Sequence, residues 1–335
     1  MTQIIRMPEA EYHSRDEVSS TMLRRFDRSP AHMMMPVKRT KSMILGSLVH
    51  AMVLTPDEIE LHFAQKLPDV EKPDGCDFRK KEWKEWRDGA DGQAYLQADE
   101  DTKAANAELQ RRADETDFEI VSESTWKTAE AMARRVKEHP IFEKLNPTRD
   151  QCEVSIVSEF DSPRGRIKGR CRYDMLVERT SADIKCTVDA SPEAFMRSVI
   201  KFGYHVQFAF YNRLHIEEHG VPLDEWYFIA VEAKSPIGVA VYTLPPEAKR
   251  AGDEYLNRIM PEFSRWYFDD YPNGIAQSYS PIPQALPWPR WAGGYQDNQR
   301  ETADETPYVE DIGDEFEDDD AFDFAEAEEL DFSDF

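Results

Sequence analysis

Apolar positions follow two different periods along this chain. Between 41 and 54, KSMILGSLVHAMVL is apolar to nearly apolar around its whole circumference. Its length predicts a buried helix rather than a strand, ending before Thr55-Pro56. From 152 the period shortens to two. CEVSIVSEF (152–160) alternates and is rich in β-branched residues, a turn follows at 161–165, and RIKGRCRYDMLVE (166–178) and SADIKCT (181–187) complete a predicted antiparallel meander. A long helical stretch then covers 191–220. It opens at Ser191-Pro192, closes at Gly220 and has a break near Gly203. WYFIAVEA (226–233) and IGVAVYTL (237–244) predict two more strands, and 246–267 a helix interrupted at Pro261.

Nearer the N-terminus, 15–30 predicts a short helix capped by Ser19, Ser20 or Thr21 and closed at Ser29-Pro30. Residues 122–144 predict another helix, with Pro140 near its end. Between them, 68–115 is polar and rich in Lys, Glu, Trp and Gln, which predicts a helical insertion with exposed faces. Strands interleaved with helices predict an α/β fold, a mixed central β-sheet flanked by helices. Residues 1–300 are expected to form one domain, with 272–292 wrapping over the body and 301–335 a disordered acidic tail.

Charge sharpens that boundary. The formal net charge is −25, but 17 of the 66 acidic residues and none of the 41 basic ones lie in 301–335. The body is left with about −8, so a local basic groove for nucleic acid remains open. The four cysteines, Cys76, Cys152, Cys171 and Cys186, show no C-x-x-C spacing, which argues against a zinc ribbon or a disulfide framework. No apolar run has the ~18–20 residues that a bilayer span needs, and no secretory signal pattern opens the chain. A cytoplasmic protein without membrane contact is expected.

The chemistry concentrates at Asp183-Ile184-Lys185. On a strand, Asp183 and Lys185 share a face and Ile184 points into the core. A tight turn would set Asp174, on the preceding strand, beside Asp183. Two such carboxylates suit Mg²⁺, which would polarise a phosphate, while Lys185 orients or deprotonates a water. A D-x-K strand taken alone is most often a solvated charge pair.

Its company changes that balance. GSLVH (46–50), GRCRYD (169–174), DIK (183–185) and QFAFY (207–211) occur in order. They resemble the G-x-x-x-H, R-x-D, D-x-K and Q-x-x-x-Y motifs of the RecB-like branch of PD-(D/E)XK nucleases. With VSSTMLRRFDRSPAH (18–32) and GYHVQFAFY (203–211), the finer resemblance is to RecE (exonuclease VIII)-type phage recombination exonucleases, over roughly 10–295. The resemblance implies a PD-(D/E)XK nuclease core. Asp174 and Asp183 would be metal ligands, joined by His50 and the Ile184 carbonyl, and Lys185 would be the catalytic lysine. Gln207 and Tyr211 would position the lysine or the scissile strand. Glu153 matches an acidic position of such chains and ranks below these. Ser20, Thr21 and Arg24 would hold a 5′-phosphate at a helix N-terminus, and Arg172 would contact phosphate or pair with a carboxylate.

The activity so implied is a Mg²⁺-dependent (Mn²⁺ possible) exonuclease acting on double-stranded DNA ends, 5′→3′, in phage-type recombination. The expected partners are a homo-oligomeric ring and a single-strand annealing protein, inside a bacterial host cell. The rivals are an endonuclease or Cas4-like processing nuclease, and a DNA-binding or regulatory protein on a decayed nuclease fold. The tail interleaves Phe with acid, EFEDDDAFDFAEAEELDFSDF (315–335). It suggests a solubilising segment, a DNA mimic that folds onto the groove, or a tip that recruits partners as in single-strand-binding proteins.

Overall fold

In a computed structural model the described residues are 3–279, apart from 6, 8, 38, 73–76, 78, 117 and 276. The acidic tail and most of 272–292 therefore lie outside the described residues, as does Cys76. The chain begins with β1 (Gln3–Ile5), α1 (Glu9–Ser14), α2 (Ser20–Arg28), α3 (Pro30–Met34), α4 (Lys41–Leu54) and α5 (Ile59–His62). A short parallel pair, β2 (Phe63–Gln65) and β3 (Glu119–Val121), brackets two helices, α6 (Lys81–Asp88) and α7 (Ala90–Glu115). Next come α8 (Glu123–Lys137) and α9 (Pro140–Leu145). Pro140 does not end the predicted 122–144 helix but opens a second one, where its missing N–H costs nothing.

The meander appears as β4 (Cys152–Ser162), β5 (Gly165–Val177) and β6 (Thr180–Thr187). Then α10 (Pro192–Lys201) and α11 (Tyr204–His219) carry the chain across the sheet to β7 (Glu225–Glu232), β8 (Val239–Tyr242) and α12 (Pro246–Arg265). The break near Gly203 is real: its φ of 63° is the left-handed conformation that glycine adopts at least cost, and the chain turns there from α10 into α11. Pro261 sits inside α12 without ending it.

The sheet order is β1-β4-β5-β6-β7-β8. All neighbours are antiparallel except β6 and β7, which run parallel and need the α10–α11 crossover. The mixed α/β sheet flanked by helices is thus the observed architecture. On the inner strand β7 successive buried side chains go to opposite faces. Phe228 and Ala230 join the core beneath α2, α11 and α12, whereas Ile229 and Val231 join the core beneath α4 and α8. Leu23, Phe210, Leu256 and Phe263 fill the first core. Leu48, Val49, Met132 and Val136 fill the second.

Candidate metal centre

The site forms where a ladder stops. Strands β5 and β6 pair from Val177↔Thr180 to Met175↔Ala182 and then part. The next opposed positions are Asp174 and Asp183. Beyond them β5 stays with β4 and β6 with β7, which opens a fork in the sheet. The fork frees the Ile184 N–H from the ladder. It donates instead to Asp174 Oδ2 at 2.7 Å, as a buried amide must find some acceptor.

His50 enters the fork from the α4 side. Its Nε2 lies 3.0 Å from the Ile184 carbonyl, so Nε2 carries the proton, and Nδ1 faces Asp174 Oδ1 at 3.6 Å. His50, Ile184 and Asp174 thereby close a ring of polar contacts. The ring fixes the imidazole's tautomer and leaves Nδ1 as the lone-pair donor. Ile184 itself is buried among the α4 and α8 side chains.

Gln207 enters from the opposite face, on α11. Its Nε2 donates to Asp183 Oδ1 at 2.7 Å, and Lys185 Nζ stands 2.5 Å from Asp183 Oδ2. Asp183 is almost wholly buried; its Oδ1 accepts from Gln207, while its Oδ2 has the Lys185 ion pair but no hydrogen bond among the described residues. Lys185 also lies over the Tyr204 ring, 4.8 Å from its centroid. Tyr204 begins α11, and no sequence motif singles it out. Tyr211 lies one turn after Gln207 on α11. It packs among Tyr173 and Trp226, and its carbonyl accepts the Tyr173 hydroxyl at 3.0 Å.

Glu153 is drawn in more closely than the sequence indicates. The β4–β5 register places it opposite Asp174, and its φ of 55° is a left-handed kink near the start of β4. A non-glycine residue so placed is strained, and such strain gathers at functional positions. Ligand atoms of His50, Glu153 and Asp174 lie within 4.8 Å of one another. The set expected from sequence (His50, Asp174, Asp183 and the Ile184 carbonyl) and the side-chain cluster that the geometry assembles share His50 and Asp174; the cluster adds Glu153 and lacks Asp183. Arg172 donates to Glu153 Oε2, so in this structure it pairs with a carboxylate. The signal for Glu153 was its place at the start of the first long strand, opposite the R-x-D strand.

The charges explain why a cation fits. Burial pushes the Asp174 carboxyl up to about 7; His50 and Lys185 oppose the rise, while Asp183 and Glu153 add to it. Burial lowers the Lys185 pKa, but Asp183, Tyr204 and Asp174 together outweigh it and hold the ammonium protonated. For His50 too, burial lowers the pKa, but Asp174 and Glu153 together prevail and raise it. Three carboxylates and one imidazole in a buried fork suit Mg²⁺ or Mn²⁺, both oxygen-seeking ions.

A cleft of about 1380 Å³ lies among α1 to α5 and α12, lined by none of His50, Glu153, Asp174, Asp183 or Lys185. Ser47, one turn before His50, and Tyr211, one turn after Gln207, both line it. So do Ser20 and Thr21 at the start of α2, where Ser19 is the cap and accepts from the Met22 N–H. Arg24 points elsewhere, donating to the Lys201 carbonyl at 3.5 Å beside the α10–α11 turn. Four arginines, Arg15, Arg25, Arg39 and Arg170, line the cleft against one carboxylate, Asp16. Arg170 is 5% exposed and went unremarked in the sequence; it lies two residues before Arg172, facing the cleft.

Carboxylates and a lysine at a forked sheet, with a helix on each face contributing His50 and Gln207, define a PD-(D/E)XK nuclease fold. The sequence profile of the PDDEXK-like domain of unknown function (DUF3799) matches residues 19–265. The chain belongs to that family. No curated protein matches it. Among solved structures it is similar to one described as "Putative exonuclease" from Eubacterium rectale, at 14% identity and a TM-score of 0.47, covering 83% of this chain and 97% of that one. It is also similar to SSO0001, at 12% identity and a TM-score of 0.24, covering 36% of this chain and 52% of that one. No helix among the described residues is long and apolar enough to cross a membrane.

Proposed function

We propose that this protein is a metal-dependent exonuclease that degrades linear double-stranded DNA from its ends, 5′→3′, to expose single strands for recombination of the phage type. One observation carries the reading: Asp174, Asp183 and Lys185 meet at the fork between β5 and β6, with His50 and Glu153 close enough to complete a metal site. His50, Glu153 and Asp174 would hold the ion, with Asp183 and the Ile184 carbonyl beside them. When bound, a divalent ion supplies positive charge against the scissile phosphate and acidifies water.

The chain's own groups do the rest. Lys185, kept protonated by Asp183, places a positive charge where the phosphate's negative charge grows during attack. Gln207 holds Asp183, and the Tyr204 ring limits where the ammonium can swing. The intact Asp183–Lys185 pair argues against a decayed fold. The arginine-lined cleft, which Ser47 of α4 and Tyr211 of α11 also line, supports a duplex path, because backbone neutralisation dominates DNA affinity. Ser20 and Thr21, at the start of α2 and on the cleft wall, suit a terminal phosphate there. Assembly into a ring and hand-over to an annealing protein belong to the same proposal, as does action inside a bacterial host.

The test is digestion of 5′-phosphorylated linear duplex with Mg²⁺ or Mn²⁺, beside closed circles and a Lys185→Ala variant. Progressive loss of the linear duplex by the wild type alone, with circles spared, is the expected result. Cleavage of circles would move the reading to an endonuclease. No cleavage with either ion would overturn it.

A further inference from the structure

The acidic tail and the cleft are complementary in charge and in apolar character. The cleft carries four arginines to one aspartate. Arg15 and Arg39 are partly neutralised by Glu17 and Glu119. Arg25 instead donates to the Met35 carbonyl, which does not cancel its charge, while Arg170, almost wholly buried, donates to the Arg15 carbonyl and also faces Glu17. The same cleft shows apolar side chains to solvent: Met34 is 50% exposed, Val37 55%, Met43 44% and Leu61 62%. Methionines are adaptable partners for aromatic rings. A duplex path needs the arginines but makes no use of an exposed methionine floor. An acidic peptide with regularly spaced phenylalanines uses both.

The chain supplies such a peptide. Residues 301–335 hold 17 carboxylates, no Lys or Arg, and five phenylalanines (Phe316, Phe322, Phe324, Phe332 and Phe335). The chain also leaves the described fold at the cleft's edge. Arg28 donates to the Tyr279 hydroxyl at 3.2 Å, the His32 ring lies 5.5 Å from that of Tyr279, and the Ala31 N–H donates to the Gln277 carbonyl at 3.1 Å. These contacts hold 277–279 against α2 and α3, and Met33 and Met34 of α3 line the cleft. From residue 279 to 301, about 22 residues could extend to roughly 70 Å, far enough to reach any part of the cleft.

We infer that residues 301–335 dock in this cleft. Their carboxylates lie on the arginines and their phenylalanines on the exposed Met34, Met43 and Leu61, so tail and duplex exclude one another. The exclusion rests on the reading of the cleft as the duplex path; the docking does not. The contact makes DNA entry competitive. Long duplex, with its dense charge, displaces the tail, and weak polyanions do not.

The experiment uses the full chain with a benzophenone amino acid in place of Phe324, photolysed with and without a blunt duplex of about 20 base pairs. A second full-length protein carries Asp318→Asn, Asp319→Asn, Asp320→Asn, Glu328→Gln and Glu329→Gln. Crosslinks should map to peptides holding Met34, Met43 or Leu61 and vanish with saturating duplex. The neutralised protein should bind that duplex about tenfold more tightly at low salt, with the difference shrinking as salt rises. Crosslinks scattered over other surfaces would overturn the docking. Cleft crosslinks that persist under saturating duplex would overturn the exclusion. If no protein form binds duplex, the nuclease reading fails, while the crosslink map without DNA still decides whether the tail docks.

Discussion

Below pH ~4 the Asp174 carboxyl is protonated in the folded and the unfolded chain alike, and burial costs it little. Between that point and its folded value of about 7, the unfolded chain gives up the proton and the folded one keeps it. The folded state therefore binds more protons, and stability falls as pH rises through this window. With metal removed by chelation, the melting temperature should decline between pH 5 and pH 8, and Asp174→Asn should flatten the decline. Magnesium or manganese should reverse it, stabilising more at pH 8 than at pH 6, because the ion competes with the proton for the same oxygens. A melting temperature that is flat with pH in the chelated wild type would refute this account of Asp174. Lys185 calls for a different expectation. It touches Asp183 and Tyr204 but lies outside the cluster of ligand atoms. Lys185→Ala should lower the cleavage rate by about 10²–10³-fold, yet leave the metal-dependent rise in melting temperature largely in place. Much of this was legible in the sequence, since D-x-K and R-x-D name Asp183, Lys185 and Asp174 through spacing alone. Glu153 was less so: its importance comes from a register that puts it across from Asp174 and from a backbone kink that no composition reveals. Tyr204 and Arg170 were hidden for a similar reason, as each acts through a neighbour distant in sequence.

At the scale of elements, α11 is set by its first residues. Gly203 takes a left-handed φ of 63°, and a Cβ added there would lie 2.4 Å from Arg24 Nε. The turn delivers Tyr204 over Lys185, and one turn later Gln207 to Asp183. Gly203→Ala should therefore cost about 1–2 kcal/mol from the disfavoured conformation, plus whatever Arg24 needs to move. That is a fall of several degrees in melting temperature for a chain of this size. It should also slow cleavage while metal binding persists, because His50, Glu153 and Asp174 sit on α4, β4 and β5. Loss of metal binding together with activity would show that α11 shapes the whole site and not only the Lys185 side. The break at Gly203 and the 152–187 meander could both be read from the sequence, since each follows from local periodicity or a single glycine. The pairing of β6 with β7 could not, because it is made across the α10–α11 crossover by residues some 45 positions apart. The strands β1, β2 and β3, of three residues each, are too short to show a period.

At the scale of the whole molecule, charge is divided between a cleft that gathers arginines and a body that is otherwise mildly acidic. Affinity for a duplex should then come from few phosphate contacts, each arginine adding about one to the slope of log affinity against log salt. Arg25 lines the cleft and is held by the Met35 carbonyl, so its charge is available without its being needed for the fork. Arg25→Ala should weaken duplex binding about equally for every sequence and lower the slope of log affinity against log salt by roughly one. Arg197 lies on α10, away from the cleft lining; Arg197→Ala should leave that slope unchanged. The comparison is best made in the tail-neutralised protein, where no internal polyanion competes with the duplex. An Arg25→Ala slope equal to the parent's would place the duplex elsewhere on the surface. The cleft would then be left to the tail.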